Sequence, residues 1–87
     1  MPDFDLTGKV CVVTGGTKGI GHGIVRQLLG AGASVLLTSR SAADCDRVAA
    51  DLGREFGADT VAGAACDLSD PEAVGGLLGL AAGRFGP

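Results

Sequence analysis

Thr14-Gly15-Gly16-Thr17-Lys18-Gly19-Ile20-Gly21 joins an apolar run to a segment of helical periodicity, and the fold turns on how that junction is read. On its N-terminal side, Val10-Cys11-Val12-Val13-Thr14 is short, rich in β-branched residues and bounded by Gly8-Lys9 and Gly15-Gly16. That is the pattern of a strand buried on both faces. On its C-terminal side, Ile20, Ile24 and Leu28, flanked by Val25 and Leu29, recur at helical spacing from Gly19 to Gly30, with Arg26 and Gln27 opposite. Glycines between strand and helix permit positive φ and let an anion approach without a Cβ in the way. The unpaired N–H groups and dipole of a helix start attract negative charge. A pyrophosphate fits such a turn.

Working outward, the helix closes at Gly30-Ala31-Gly32, and Ala33 to Ser39, with Val35-Leu36-Leu37 at its centre, predicts a second strand. Ser41 and Asp44 have capping-box spacing. They open a second helix that runs to Phe56, with Cys45, Val48, Ala49, Leu52 and Phe56 on one stripe and Gly57 as its stop. Thr60 to Cys66 is small-residue-rich and predicts a third strand, followed by the turn residue Asp67. Asp70-Pro71-Glu72 is a helix start, after which Val74, Leu77, Leu78 and Ala81 recur helically. Gly75, Gly76 and Gly79 weaken that third helix. The order β-α-β-α-β-α predicts right-handed crossovers and a doubly wound parallel α/β sheet of order 3-2-1, one half of a dinucleotide-binding Rossmann domain spanning residues 1–87.

Composition agrees with one small folded unit. The chain has 87 residues, 46% of them apolar, and its apolar runs fall far short of a membrane span. Three phenylalanines with no tyrosine or tryptophan leave few bulky anchors, so marginal stability is expected. A net charge of −3 without a basic cluster argues against nucleic acid or an anionic membrane as partner. Cys11, Cys45 and Cys66 form no C-x-x-C pair, and His22 is the single histidine, so neither a disulfide framework nor a zinc site is legible. Met1 to Thr7 lacks the basic start and apolar stretch of a signal peptide. These features lead to the expectation of a reducing cytoplasm.

The glycine spacing excludes two common phosphate loops. Neither Lys9 nor Lys18 is followed by serine or threonine, as a P-loop requires, and Gly19, Gly21 and Gly23 do not fit G-x-G-x-x-G. What stands from Thr14 to Gly21 is T-G-x-x-x-G-x-G. With this motif the chain resembles the N-terminal portion of the short-chain dehydrogenase/reductase family, whose nucleotide loop reads T-G-x-x-x-G-I-G. Phe4-Asp5-Leu6-Thr7-Gly8-Lys9-Val10 and Gly32-Ala33-Ser34-Val35 resemble the family's approaches to its first two strands. The run Thr14 to Val25 with Ser39-Arg40 is most similar to the tropinone-reductase-like members.

The resemblance implies a cofactor-binding set of Gly15, Thr17, Lys18, Gly19, Ile20 and Gly21 in the loop, Ser39 and Arg40 after strand two, and Asp67 and Leu68 after strand three. The family's acidic residue for the ribose hydroxyls of NAD falls at Ser39, which lacks a carboxylate's strength. Lys18 and Arg40 match the pair that flanks the 2′-phosphate in NADP-preferring members, and two cations suit a dianionic phosphate. NADP(H) is thus expected over NAD(H). The competing reading is two solvated surface cations. Asp67 would accept from the adenine amino group and the Leu68 N–H would contact the ring; alternatively, Asp67 caps a turn. His22, without an acidic or nucleophilic partner in sequence, is expected to be a surface residue.

The family's hydride transfer to or from a carbonyl or alcohol uses a tyrosine, a lysine four residues on, a serine and an asparagine. This sequence contains no tyrosine and no asparagine, so no catalytic residue is expected. The expectation is a truncated oxidoreductase that is not catalytic alone. The alternative is a non-catalytic nucleotide-binding or interaction module completed by a partner or by self-association through the open edge of strand one.

Overall fold

The computed structural model describes residues 5–67 and 69–86, the Leu78 side chain excepted. Phe4 and Pro87 lie outside them. In chain order the elements are β1 (Val10–Thr14), α1 (Gly19–Gly30), β2 (Ser34–Ser39), α2 (Ala42–Phe56), β3 (Val61–Ala65) and α3 (Pro71–Phe85). The strands form one parallel sheet with β2 in the middle, in the expected 3-2-1 order. Val12 stands beside Leu36, and Leu36 beside Ala62.

The alternation of β2 divides the core into two layers. Val35 and Leu37 point to one face, where they pack with Val25 and Leu29 of α1 and with Cys45, Val48 and Leu52 of α2. Leu36 points to the other, against Leu77 and Ala81 of α3 and against Cys66. Right-handed crossovers account for this arrangement. Two successive steps from β1 to β3 place α1 and α2 on the same face, and α3, lying back over β2 and β1, occupies the opposite one.

Local chemistry sets the helix ends. The Ser41 hydroxyl accepts from the Asp44 N–H at 3.1 Å, and Asp70 accepts from the Glu72 N–H at 3.0 Å with Pro71 in the first turn. Only half of the anticipated capping box forms at α2, because the Ser41 N–H donates to the Ser39 hydroxyl instead of to Asp44. The two faces of α1 and α2 are joined by Arg26, which donates to both carboxylate oxygens of Glu55 at 2.6 and 2.7 Å and lies over the Phe56 ring.

Three expectations need correction. β1 is not buried on both faces: Val10 and Thr14 are exposed and Cys11 to Val13 only half-buried, because it is an edge strand. Ile20 and Ile24 are not on the core stripe of α1; they are 85% and 46% exposed, and Val25 and Leu29 take the buried positions. No element among the described residues stands beyond β1 to cover that side. In α3, Leu77 and Ala81 are buried as expected but Val74 is exposed. Among the described residues, no helix is long and apolar enough to cross a membrane, and no three metal-ligating side chains gather.

Candidate functional site

The C-terminal ends of the three parallel strands open into one cleft of about 640 Å³. Ligands in open α/β sheets settle at such ends, where the loops after each strand converge. The loop after β1 contributes Gly15, Thr17 and Lys18, the end of β2 contributes Thr38 to Ser41, and the segment after β3 contributes Cys66, Asp67 and Ser69. Of the residues singled out from sequence, Gly15, Thr17, Lys18, Ser39, Arg40 and Asp67 are therefore brought together. Leu68 lies outside the described residues.

The glycine loop is held by backbone contacts. The N–H groups of Gly15 and Gly16 both donate to the Thr38 carbonyl, at 2.8 and 3.1 Å, which pins the loop to the end of β2. Gly15 and Gly19 adopt φ of 70° and 65°, the left-handed region that other residues reach only with strain. Gly21 has a different reason. A Cβ there would stand 2.2 Å from the Gly15 carbonyl oxygen, so helix and loop touch backbone to backbone.

That contact seats the start of α1 against the loop without capping it, and Gly19, Ile20 and Gly21 do not themselves line the cleft. Lys18, the N-cap residue, is extended and its side chain makes no capping hydrogen bond, and the first turn carries no acidic residue. α2 and α3, by contrast, have both a side-chain cap and an acid in the first turn. The first N–H groups of α1 lack intrahelical acceptors, so they are the donors on offer to an anion. The Ile20 side chain points to solvent and does not line the cleft; only its backbone belongs to this helix start.

The side chains around the cleft divide by engagement. Among the described residues, Arg26, Arg47 and Arg54 are in ion pairs, whereas Lys18 and Arg40 are in none. The Ser39 hydroxyl is occupied: it accepts from the Ser41 N–H and lies 3.3 Å from the Cys45 sulfur. Asp67 Oδ1 accepts from the hydroxyl and the N–H of Ser69, at 2.7 and 2.9 Å, so the turn-capping reading of this residue is realised. Those two hydrogen bonds hold its carboxyl below the ordinary value, with a smaller contribution from the positive charge of Arg40. His22 is half-buried on α1.

Sequence reading missed Thr38, Ser41, Asp44, Cys66 and Ser69 as lining residues. Four of them directly neighbour a residue that was singled out, or lie two positions from one, after a strand, and extending the search to every residue at the C-terminal ends of parallel strands would have found those four. Asp44 stands in the first turn of α2 and comes to the cleft with that helix start.

Comparison with known proteins bears on the family and the fold. The family model for short chain dehydrogenases matches residues 9–87. An uncharacterized oxidoreductase of Mycobacterium tuberculosis is 43% identical over 86 residues, covering 95% of this chain and 31% of the relative. The 2,3-dihydroxy-2,3-dihydro-p-cumate dehydrogenase of Pseudomonas putida is 44% identical over 85 residues, covering 93% of this chain and 31% of that enzyme. Among solved structures, the L-sorbose reductase of Gluconobacter frateurii, complexed with NADPH and L-sorbose, superposes with a TM-score of 0.87 at 32% identity, covering 98% of this chain and 32% of that one. The chain thus spans about a third of the length of the relatives it matches.

Proposed function

The chain belongs to the short-chain dehydrogenase family, and from that premise we propose that its cleft binds the adenosine and diphosphate portion of NADP(H), in preference to NAD(H). The observation that carries this reading is the placement of Lys18 and Arg40 on the same cleft, from different loops, with no carboxylate partner among the described residues. Two such cations suit the 2′-phosphate, each contact being charge-assisted. The uncapped start of α1 suits the diphosphate, and Asp67 remains an acceptor for the adenine amino group after its turn is closed. Ser39, with its hydroxyl occupied inside the protein, does not replace the carboxylate that would grip a free ribose diol. The neighbouring L-sorbose reductase, complexed with NADPH, supports the same choice.

When bound, the nicotinamide supplies hydride exchange with a carbonyl or alcohol. These 87 residues contain no tyrosine to act as the acid or base and no asparagine. Their part is to bind and orient the cofactor, and they do not turn over substrate by themselves. The free edge of β1, with Val10, Ile20 and Ile24 exposed beside it, favours a second reading in which the unit also self-associates. Three free thiols fit a reducing cytoplasmic setting.

Titration with NADPH and NADH, followed by ligand fluorescence, tests the assignment. Arg40→Ala is expected to weaken NADPH about tenfold or more, the loss of one charge-assisted contact, and to leave NADH within about twofold. An unchanged NADPH affinity refutes the 2′-phosphate assignment.

A further inference from the structure

Arg40 is enclosed by a ring of contacts that its own side chain does not make. The Ser39 hydroxyl reaches over it to Ser41, accepting from the Ser41 N–H and lying 3.1 Å from the Ser41 carbonyl oxygen. Ser41 in turn caps α2. This ring is tied down at one further point, the Cys45 thiol. Its sulfur is fully buried, 3.3 Å from the Ser39 hydroxyl and 3.5 Å from the Ala64 carbonyl oxygen, which accepts from it.

One side chain from the first turn of α2 therefore bridges the ends of β2 and β3. Two proton arrangements satisfy it. Either the thiol donates to Ala64 and accepts from Ser39, or it donates to Ser39, whose hydrogen then goes to the Ser41 carbonyl. β3 also comes close at the same place: a Cβ on Gly63 would stand 2.6 Å from the Cys45 carbonyl oxygen and 3.0 Å from the Cys45 Cβ. The first turn of α2 is thus seated against β3 with no slack.

We infer that Cys45 is a positioning residue for cofactor selection: through Ser39 it fixes the backbone that carries Arg40. A cation on a pre-set backbone loses less freedom on contact with its anion than one on a mobile turn. The thiol is fully buried and does not line the cleft, so its effect should fall on the 2′-phosphate alone. The inference rests on the proposed role of Arg40, so the experiment must separate the two.

NADPH and NADH affinities are measured by ligand fluorescence for the parent chain and for Arg40→Ala, Cys45→Ala, Cys45→Ser and Ser39→Ala, with far-UV circular dichroism as the check of folding. Cys45→Ala should lower the NADPH to NADH preference about three- to tenfold, the size of one hydrogen bond. Cys45→Ser, which keeps a donor and an acceptor at that point, should restore most of it. Ser39→Ala breaks the same contact from the other side and should lower the preference similarly, so the test survives a Cys45→Ala chain that fails to fold. If Arg40→Ala abolishes the preference while Cys45→Ala and Ser39→Ala leave it at the parent value, the inference is overturned and the function stands. Equal losses in Cys45→Ala and Cys45→Ser overturn the hydrogen-bonded route. If Arg40→Ala leaves the preference unchanged, the role of Arg40 itself is wrong and the inference falls with it.

Discussion

Gly21 and Gly23 lie two residues apart on α1, and the structure assigns them opposite responses to the same substitution. A methyl group on Gly21 would stand 2.2 Å from the Gly15 carbonyl oxygen and 2.9 Å from its carbon, both backbone atoms. An ordinary contact of this kind needs more than 3 Å, so helix start and loop must part by about 1 Å. Forced overpacking costs about 1–3 kcal/mol. The Gly15 N–H bond to the Thr38 carbonyl lies on the same loop and would be strained with it. A methyl group on Gly23 meets nothing within 4 Å, so Gly23→Ala should stabilise by about 0.5–1 kcal/mol through helix propensity alone. For a domain of this size about 1 kcal/mol moves Tm by about 4–8 °C, so thermal melts by circular dichroism resolve the two signs. Gly21→Ala should also weaken NADPH and NADH alike, since the diphosphate donors move. Wild-type stability and affinity in Gly21→Ala would refute the backbone contact and with it the account of the loop.

Two further outcomes follow from features away from the cleft. Hydrogen bonding to Arg26, more than any other influence, holds the Glu55 carboxyl below its ordinary value. A depressed carboxyl contributes stability above the unfolded value near 4.5 and loses it as pH falls through the folded one. Glu55→Gln should therefore melt below the parent chain at pH 6, with the gap closing on acidification past pH 4.5; a gap undiminished at pH 3 would contradict the pairing. On α3, Gly76 is exposed with open space around the Cβ position, so Gly76→Ala should raise stability by up to about 1 kcal/mol in a denaturant titration. A loss would show that this glycine has a contact the open space does not reveal.

The architecture was legible because its signals are local. Val35-Leu36-Leu37 after a glycine stop, Ser41 ahead of the α2 stripe and Asp70-Pro71 ahead of α3 each fix a boundary through backbone chemistry that needs no distant partner. What was not legible depends on neighbours. Periodicity places Ile20 and Ile24 beside Leu28, but it does not say that β1 is an edge strand, and that edge leaves both isoleucines in solvent. In the site, the loop was found from its glycine spacing, and Lys18, Arg40 and Asp67 only from the family resemblance that the loop carries. The engagement of Ser39 was not, because its partner Cys45 meets it only after α2 folds back against β3. The small residues of β3 weakened its signal as a strand, and at Gly63 the cause is the same approach of α2.

The proposed binding of an anion by a chain of net charge −3 rests on pairing, not on counting. Asp44 and Asp67 line the same cleft as Lys18 and Arg40, so its formal charges balance. Of the two acids, however, one is paired with a cation and the other is part-engaged in a turn. Asp44 accepts from Arg47, and Asp67 accepts from Ser69 while closing a turn. The two cations have no such partner among the described residues. At physiological ionic strength, exposed charges beyond about 8 Å are largely screened, so the remaining acids of the surface act weakly on a ligand held here. On the proposed reading, a phosphate in the cleft meets Lys18 and Arg40 at close range, with the Asp67 carboxylate, already bonded to Ser69, still charged beside them.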